Sequence, residues 1–244
     1  KQKTAYEIMP SLVGSEMCIR DRYYSSSWQG DEKNFLSWGV YLNLDGSSSR
    51  GVFEVGERVR MEYGKMYMEG EEPGVTADKL EGELVGKLGM GWAVDPYLSL
   101  RALTSFTRDS LLFNPVEFFQ SCGLGRGFFS KSLNLRLGFT LRQTLDRKEN
   151  DVPLDGGLEI FGGFVKEISR MLTIRSEIRV FKVLFSSEES EERKSPDVDF
   201  LTILSLKPWK YLEINLNIEA KYDKEEVDEL QLKETLSFGF SLNL

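Results

Sequence analysis

"TLSFGFSLNL", residues 235 to 244, alternates without a break. Leu236, Phe238, Phe240, Leu242 and Leu244 fall on one side, and Thr235, Ser237, Gly239, Ser241 and Asn243 on the other. Successive side chains of a strand point to opposite faces, so the stretch is a strand with one apolar and one polar face. The same period of two governs "KYLEINLNIEAKY", where Leu212, Ile214, Leu216 and Ile218 oppose Glu213, Asn215, Asn217 and Glu219. "LNLRLGFTLR" sets Leu133, Leu135, Leu137, Phe139 and Leu141 against Asn134, Arg136, Gly138, Thr140 and Arg142. "LTIRSEIRV" does likewise with Leu172, Ile174, Ile178 and Val180. Few segments carry the three-to-four-residue apolar recurrence of a helix.

The breaks between strands sort by length. Short ones fall near Asp45 to Arg50, Asp95 to Pro96, Ser130 to Lys131, Ser169 to Arg170 and Lys207 to Lys210. Longer, more polar ones alternate with them, near Glu69 to Asp78, Asp109 to Pro115, Asp146 to Gly156, Ser186 to Asp197 and Asp223 to Glu229. A meander places successive connections at opposite ends, and membrane barrels have short turns at the periplasmic end and longer loops outside. A Greek-key sandwich has no reason to sort its loops this way. The strands read as about 10 to 16 residues long, beyond the 5 to 6 usual in globular sheets and enough for a tilted membrane crossing. The chain is therefore expected to be all-β, an up-and-down antiparallel transmembrane β-barrel of about 12 strands. Complete strands begin at Phe35. The first strand is expected to be truncated, with only "YYSSSW", residues 23 to 28, in its place.

Composition limits the function. The 244 residues suit one all-β domain. With 31 Lys and Arg against 39 Asp and Glu, the net charge is −8, so no nucleic acid partner is expected. Cys18 and Cys122 lie far apart and form neither a disulfide framework nor a metal spacing. No run of about 18 apolar residues suggests a membrane helix, which leaves a strand-built membrane protein open. The chain has no histidine, which removes imidazole bases, Ser-His and Cys-His pairs and His-ligated metals together. No enzyme, cofactor or metal site is expected. Glu188, Glu189, Glu191 and Glu192 read as a solvated loop surface. "GLGRG", residues 123 to 127, lacks the helix that a phosphate cradle needs, and its glycines read as relief of crowding inside a strand.

With the apolar face outward, the polar face lines a lumen. Arg58, Arg60, Arg101, Arg136, Arg142, Arg175, Glu177, Arg179, Glu213 and Glu219 are its candidate lining residues. Opposite charges there can pair across a narrow barrel, and small residues leave room for water. Trp38, Tyr63, Trp92, Tyr97, Trp209, Tyr211 and Tyr222 lie near strand ends, as expected of interfacial girdles. Three functions follow in order. The first is a narrow channel or transporter, for which outer-membrane lipids and small hydrophilic solutes are the expected partners. The second is a plugged barrel presenting its loops. The third is a soluble, lipocalin-like ligand barrel, which would need the Leu and Phe face inward.

"SSSWQGDEKNFLSWGVYLNL", "SEIRVF", "DVDFLTILSLKPWKYLEINLNIEAKYD" and "QLKETLSFGFSLNL" resemble the domain of unknown function 3078 family over about residues 23 to 244. These are outer-membrane β-barrel proteins of Bacteroidetes-type Gram-negative bacteria, and the resemblance implies a location and a topology but no reaction. The chain departs from the family at its N-terminus, and Leu244 stands where many outer-membrane strands end in an aromatic. The stretch "SEMCIRDR" instead resembles a translated sequencing-library adapter, since Met17 to Arg22 back-translate to a transposase mosaic end. Residues 1 to 22 are thus expected to be a non-native or disordered segment, with the native signal peptide lost, and residues 23 to 244 a single barrel domain.

Overall fold

The computed structural model describes residues 9–11, 15–22, 35–68, 72–108, 111–129, 132–148, 152–187, 195–209, 212–224 and 227–240. Eleven long strands make up the wall. They are β3 (Phe35–Arg50), β4 (Phe53–Met68), β5 (Gly74–Leu88), β6 (Asp95–Thr104), β9 (Val116–Phe128), β10 (Leu133–Leu145), β11 (Leu154–Ser169), β12 (Leu172–Ser186), β13 (Pro196–Trp209), β14 (Leu212–Asp223) and β15 (Val227–Phe240). Each pairs antiparallel with the next in the chain, so the sheet is a meander. Two two-residue strands, β7 (Thr107–Arg108) and β8 (Leu111–Leu112), form a small hairpin within the connection from β6 to β9.

The twelfth place, between β15 and β3, is taken by β2 (Ser15–Arg22), while β1 (Met9–Ser11) pairs with β3 further along. β2 runs along β3 from Ser15 opposite Leu42 to Arg22 opposite Phe35, and meets β15 at the single pair Gly239 and Glu16. The adapter-like residues thus occupy the position of a first strand. Their pairing is through the backbone, and a free strand edge accepts any extended segment because its N–H and C=O groups are the same for every residue. "YYSSSW" lies outside the described residues.

Side-chain alternation decides inside from outside. Leu137, Leu236 and Phe238 are more than half exposed, at 55, 57 and 54 %, and Leu98 reaches 68 %. Residues of the opposite parity on the same strands are buried: Arg136 and Thr140, Ser237, Ser99 and Arg101. A soluble protein would bury the first set and expose the second, because apolar surface in water costs about 25 cal/mol per Å². The inversion makes the molecule an up-and-down transmembrane β-barrel with its apolar face toward lipid. The lipocalin-like alternative needs the opposite orientation.

Loop positions move slightly from the sequence expectation. β3 continues through Asp45 to Arg50, and the chain turns at Gly51 and Val52, with Gly51 at a φ of 62° that favours glycine. The next short turn spans 89–94, ahead of Asp95. Gly46 and the serines before Arg50 looked like a turn by composition, but cross-strand pairing from Asp45↔Arg58 to Arg50↔Phe53 overrides that local preference.

Candidate functional site

The lumen is the concave, polar part of the molecule. Because β4, β5, β10, β11 and β12 each place every second residue inward, charged side chains from distant parts of the chain converge. Arg58 on β4 bonds Asp45 on β3 through Nε at 2.9 Å and Glu177 on β12 through Nη1 at 2.9 Å. Arg60 reaches the same Glu177 oxygen at 2.7 Å. Arg179, two residues along β12, pairs with Glu159 at 3.0 Å and Glu83 at 3.3 Å. Glu83 also accepts from Arg136 at 2.8 Å, and Arg175 pairs with Asp45. Five strands, β5, β6, β9, β10 and β11, separate β4 from β12 along the sheet, so the Arg58 to Glu177 contact spans the barrel from wall to opposite wall.

Aromatic rings support this layer. The Arg136 guanidinium lies 4.0 Å from the centre of the Phe161 ring and Arg179 5.0 Å from it. Arg101 lies 3.8 Å over Phe119 and Arg142 5.3 Å over Phe181. Such stacking suits a planar guanidinium and limits its rotation. Arg142 is also tied to Asp155 at 2.9 Å and Asp197 at 3.0 Å.

The charged layer separates two cavities. One of about 330 Å³ lies toward the long loops and is bounded by Glu177 and Arg179. The other, of about 280 Å³, lies toward the short turns and is bounded by Arg58, Glu83 and Arg136. Every candidate lining residue read from the sequence falls on the inward side. Arg60, Arg101, Arg142, Glu177, Arg179 and Glu219 line the outer cavity, and Arg58 and Arg136 the inner one. Arg175 joins Asp45 beside the inner cavity, while Glu213, nearly fully buried, pairs with Lys207 at 3.2 Å near the short-turn end.

The acidic partners Asp45, Glu81, Glu83, Asp155, Glu159 and Asp197 were not singled out by the sequence reading. A signal for two of them exists in "KLEGELVG", residues 79 to 86, where Glu81 and Glu83 share a parity. The inward Phe119, Phe161 and Phe181 carry no such signal, because an aromatic in a membrane strand is expected to face lipid.

The girdle expectation needs one correction. Trp92 and Trp209 are 67 and 71 % exposed at the short-turn end. Trp38 and Tyr63 contact edge to face at 6.0 Å near the long-loop end, and Tyr63 continues to Phe106 and Phe113. Tyr97, however, points into the lumen and is 3 % exposed, with Arg136 over its ring at 5.5 Å. The reason is parity: Tyr97 shares the face of Ser99 and Arg101. Gly138 makes room for it, since a Cβ there would stand 2.4 Å from the Tyr97 hydroxyl, and a Cβ on the facing Gly123 would stand 2.4 Å from the Gly138 Cα. Within "GLGRG", Gly123 and Gly125 relieve crowding against β10, where a Cβ would stand 2.2 Å and 3.2 Å from backbone oxygens of Leu137 and Leu135. Tyr211 lies outside the described residues, and Tyr222 lies near the long-loop end of β14.

No family model matches the chain, and no curated protein matches it. Among solved structures, the translocator domain of the autotransporter NalP from Neisseria meningitidis is similar over 97 % of this chain and 90 % of that one, at 8 % identity and a TM-score of 0.44. The β domain of the Bordetella autotransporter BrkA is similar over 97 % of this chain and 99 % of that one, at 12 % identity and a TM-score of 0.35. The fold assignment rests on the strand pairing and on the inverted burial, which define an outer-membrane-type β-barrel.

Proposed function

We propose that the protein resides in the outer membrane of a Gram-negative bacterium as a barrel closed at mid-height by its own ion pairs, a structural, loop-presenting scaffold with an outward-opening chamber. The observation that carries this reading is the Arg58–Glu177 contact together with Arg179–Glu83, which join opposite walls. Outer-membrane lipids are its partners through the Leu and Phe belt, and no reaction is assigned to it. The sequence alone leaned toward a narrow channel or transporter for small hydrophilic solutes; the pairing of the lining charges shifts the balance to the closed barrel. The channel remains the second reading because one layer of side chains separates cavities of about 330 and 280 Å³.

Single-channel recording on the full chain refolded into a planar lipid bilayer tests the choice. The closed barrel gives a silent bilayer with the protein folded, and the pair Glu83→Gln with Glu177→Gln then yields discrete openings. Reproducible openings of the unaltered protein, with selectivity that changes when Arg136 and Arg175 become Glu, would establish the channel instead.

A further inference from the structure

The outer cavity holds a cation whose hydrogen-bonding capacity is unused. Arg101 on β6 is 7 % exposed, yet its nearest acid, Glu81, stands at 3.6 Å, beyond hydrogen-bond range. Its Nε is buried without a partner, and the guanidinium rests on the Phe119 ring at 3.8 Å. A guanidinium carries five N–H donors in a rigid fork shaped for a carboxylate. Leaving the buried Nε unmatched in a confined site is unfavourable, because a buried polar group without a partner forgoes water as well.

The same cavity holds acids in the complementary condition. Glu117 is the next inward residue beyond Phe119 on β9, diagonally adjacent to Arg101 across the β6–β9 pairing that sets Arg101 opposite Phe119. Asp199 on β13 lines the cavity as well. Among the described residues neither is joined to a cation within 4.0 Å, whereas Glu81, Glu83 and Glu177 are. Each nevertheless feels the field of Arg101. An under-bonded cation and unpaired acids in one chamber of about 330 Å³ match a solute that carries both charges a few ångströms apart.

We infer that the outer chamber binds small zwitterionic solutes of the amino acid or short peptide class, with the carboxylate on Arg101, the ammonium toward Glu117 and Asp199, and Phe119 beneath. A purely anionic solute would meet the acids, and a purely cationic one would meet Arg101 and Arg142; the mixed lining selects against both. The inference rests on the closed-barrel reading, since the Arg58–Glu177 layer gives the chamber its floor.

Saturation-transfer NMR on the full chain refolded in detergent micelles tests it with three probes: glycylglycine, N-acetylglycine and glycinamide. Glycylglycine is expected to bind, and each singly charged probe at least about tenfold more weakly, because each leaves one charged partner unmatched. Arg101→Gln and Asp199→Asn should each weaken glycylglycine to the level of the singly charged probes. Equal binding of N-acetylglycine or glycinamide, or no transfer to glycylglycine, overturns the proposal, and these readouts use the unaltered protein, so they do not depend on a variant folding. Conductance measured on the same preparation separates the two readings: openings with selective glycylglycine binding retained would remove the closed barrel and keep the site.

Discussion

Arg58 and Glu177 are 119 positions apart in the chain and meet at 2.9 Å across the lumen, with Arg60 on the same carboxylate at 2.7 Å. One acid therefore holds two cations from the opposite wall. Removing it with Glu177→Ala leaves two guanidinium groups with a lost partner in a confined space, which is expected to cost about 3 kcal/mol. Arg60→Met combined with Glu177→Gln should cost less than the sum of the two single changes, because Arg60 has Glu177 as its close acid. Urea unfolding in lipid vesicles measures the four species of this cycle. Strict additivity would mean that the contact contributes nothing to holding the walls together.

The strand pattern, the alternation of loop lengths and the inward parity of the arginines were all legible, because a period of two maps directly onto two faces of a sheet. Pairing was not legible. That Arg58 meets Glu177 rather than Glu62 depends on how the sheet curls, which no local pattern encodes. Tyr97 shows the second limit: its place near a strand end fits a girdle, and only its parity with Ser99 and Arg101, together with the cross-strand room at Gly138, sends it inward. Phe161 follows the same logic, sharing the face of Glu159 rather than that of the lipid-facing Ile160.

The Tyr97 and Gly138 contact predicts an asymmetry. The Tyr97 hydroxyl is buried without a hydrogen-bond partner, so Tyr97→Phe removes an unsatisfied group and should leave stability unchanged or slightly raised. Gly138→Ala places a methyl 2.4 Å from that hydroxyl and 2.6 Å from the Cys122 carbonyl oxygen. It should cost about 1–3 kcal/mol by overpacking. The Gly138→Ala, Tyr97→Phe double variant should recover only part of this loss, since the backbone contact at Cys122 persists. Melting of the folded form, followed by its shifted gel mobility, reads all three.

Trp92, in the turn between β5 and β6, and Trp209, the last residue of β13, both lie at the short-turn end, and Trp38 lies near the other. Brominated lipids labelled at different acyl depths should quench Trp92 and Trp209 most strongly from shallow positions in one leaflet. With both replaced by Phe, the remaining described tryptophan, Trp38, should respond to bromine placed in the opposite leaflet. Quenching of Trp92 from the acyl-chain ends would contradict the girdle assignment, because an indole at the interface keeps its N–H near water.

The orientation of the wall itself is open to a direct test by one pair of substitutions on β10. Leu137 faces outward at 55 % exposure, whereas Thr140, three residues on, is fully buried inside and bonded to Ser121 at 2.8 Å. An arginine at 137 must enter hydrocarbon or drag water into it, which costs about 2–4 kcal/mol near the midplane and less toward the interfaces. Thr140→Ser keeps the hydroxyl and the inward polarity and should change stability by under about 1 kcal/mol. Folding yield into preformed vesicles should therefore fall sharply for Leu137→Arg and stay near that of the unaltered protein for Thr140→Ser. In a soluble barrel with its apolar face inward, Leu137→Arg would destroy folding in plain buffer as well, and the unaltered chain would stay dispersed without lipid or detergent. A chain that needs lipid to fold, and that loses this ability on acquiring one outward arginine, is held together by the match between its Leu and Phe face and the bilayer rather than by an apolar core.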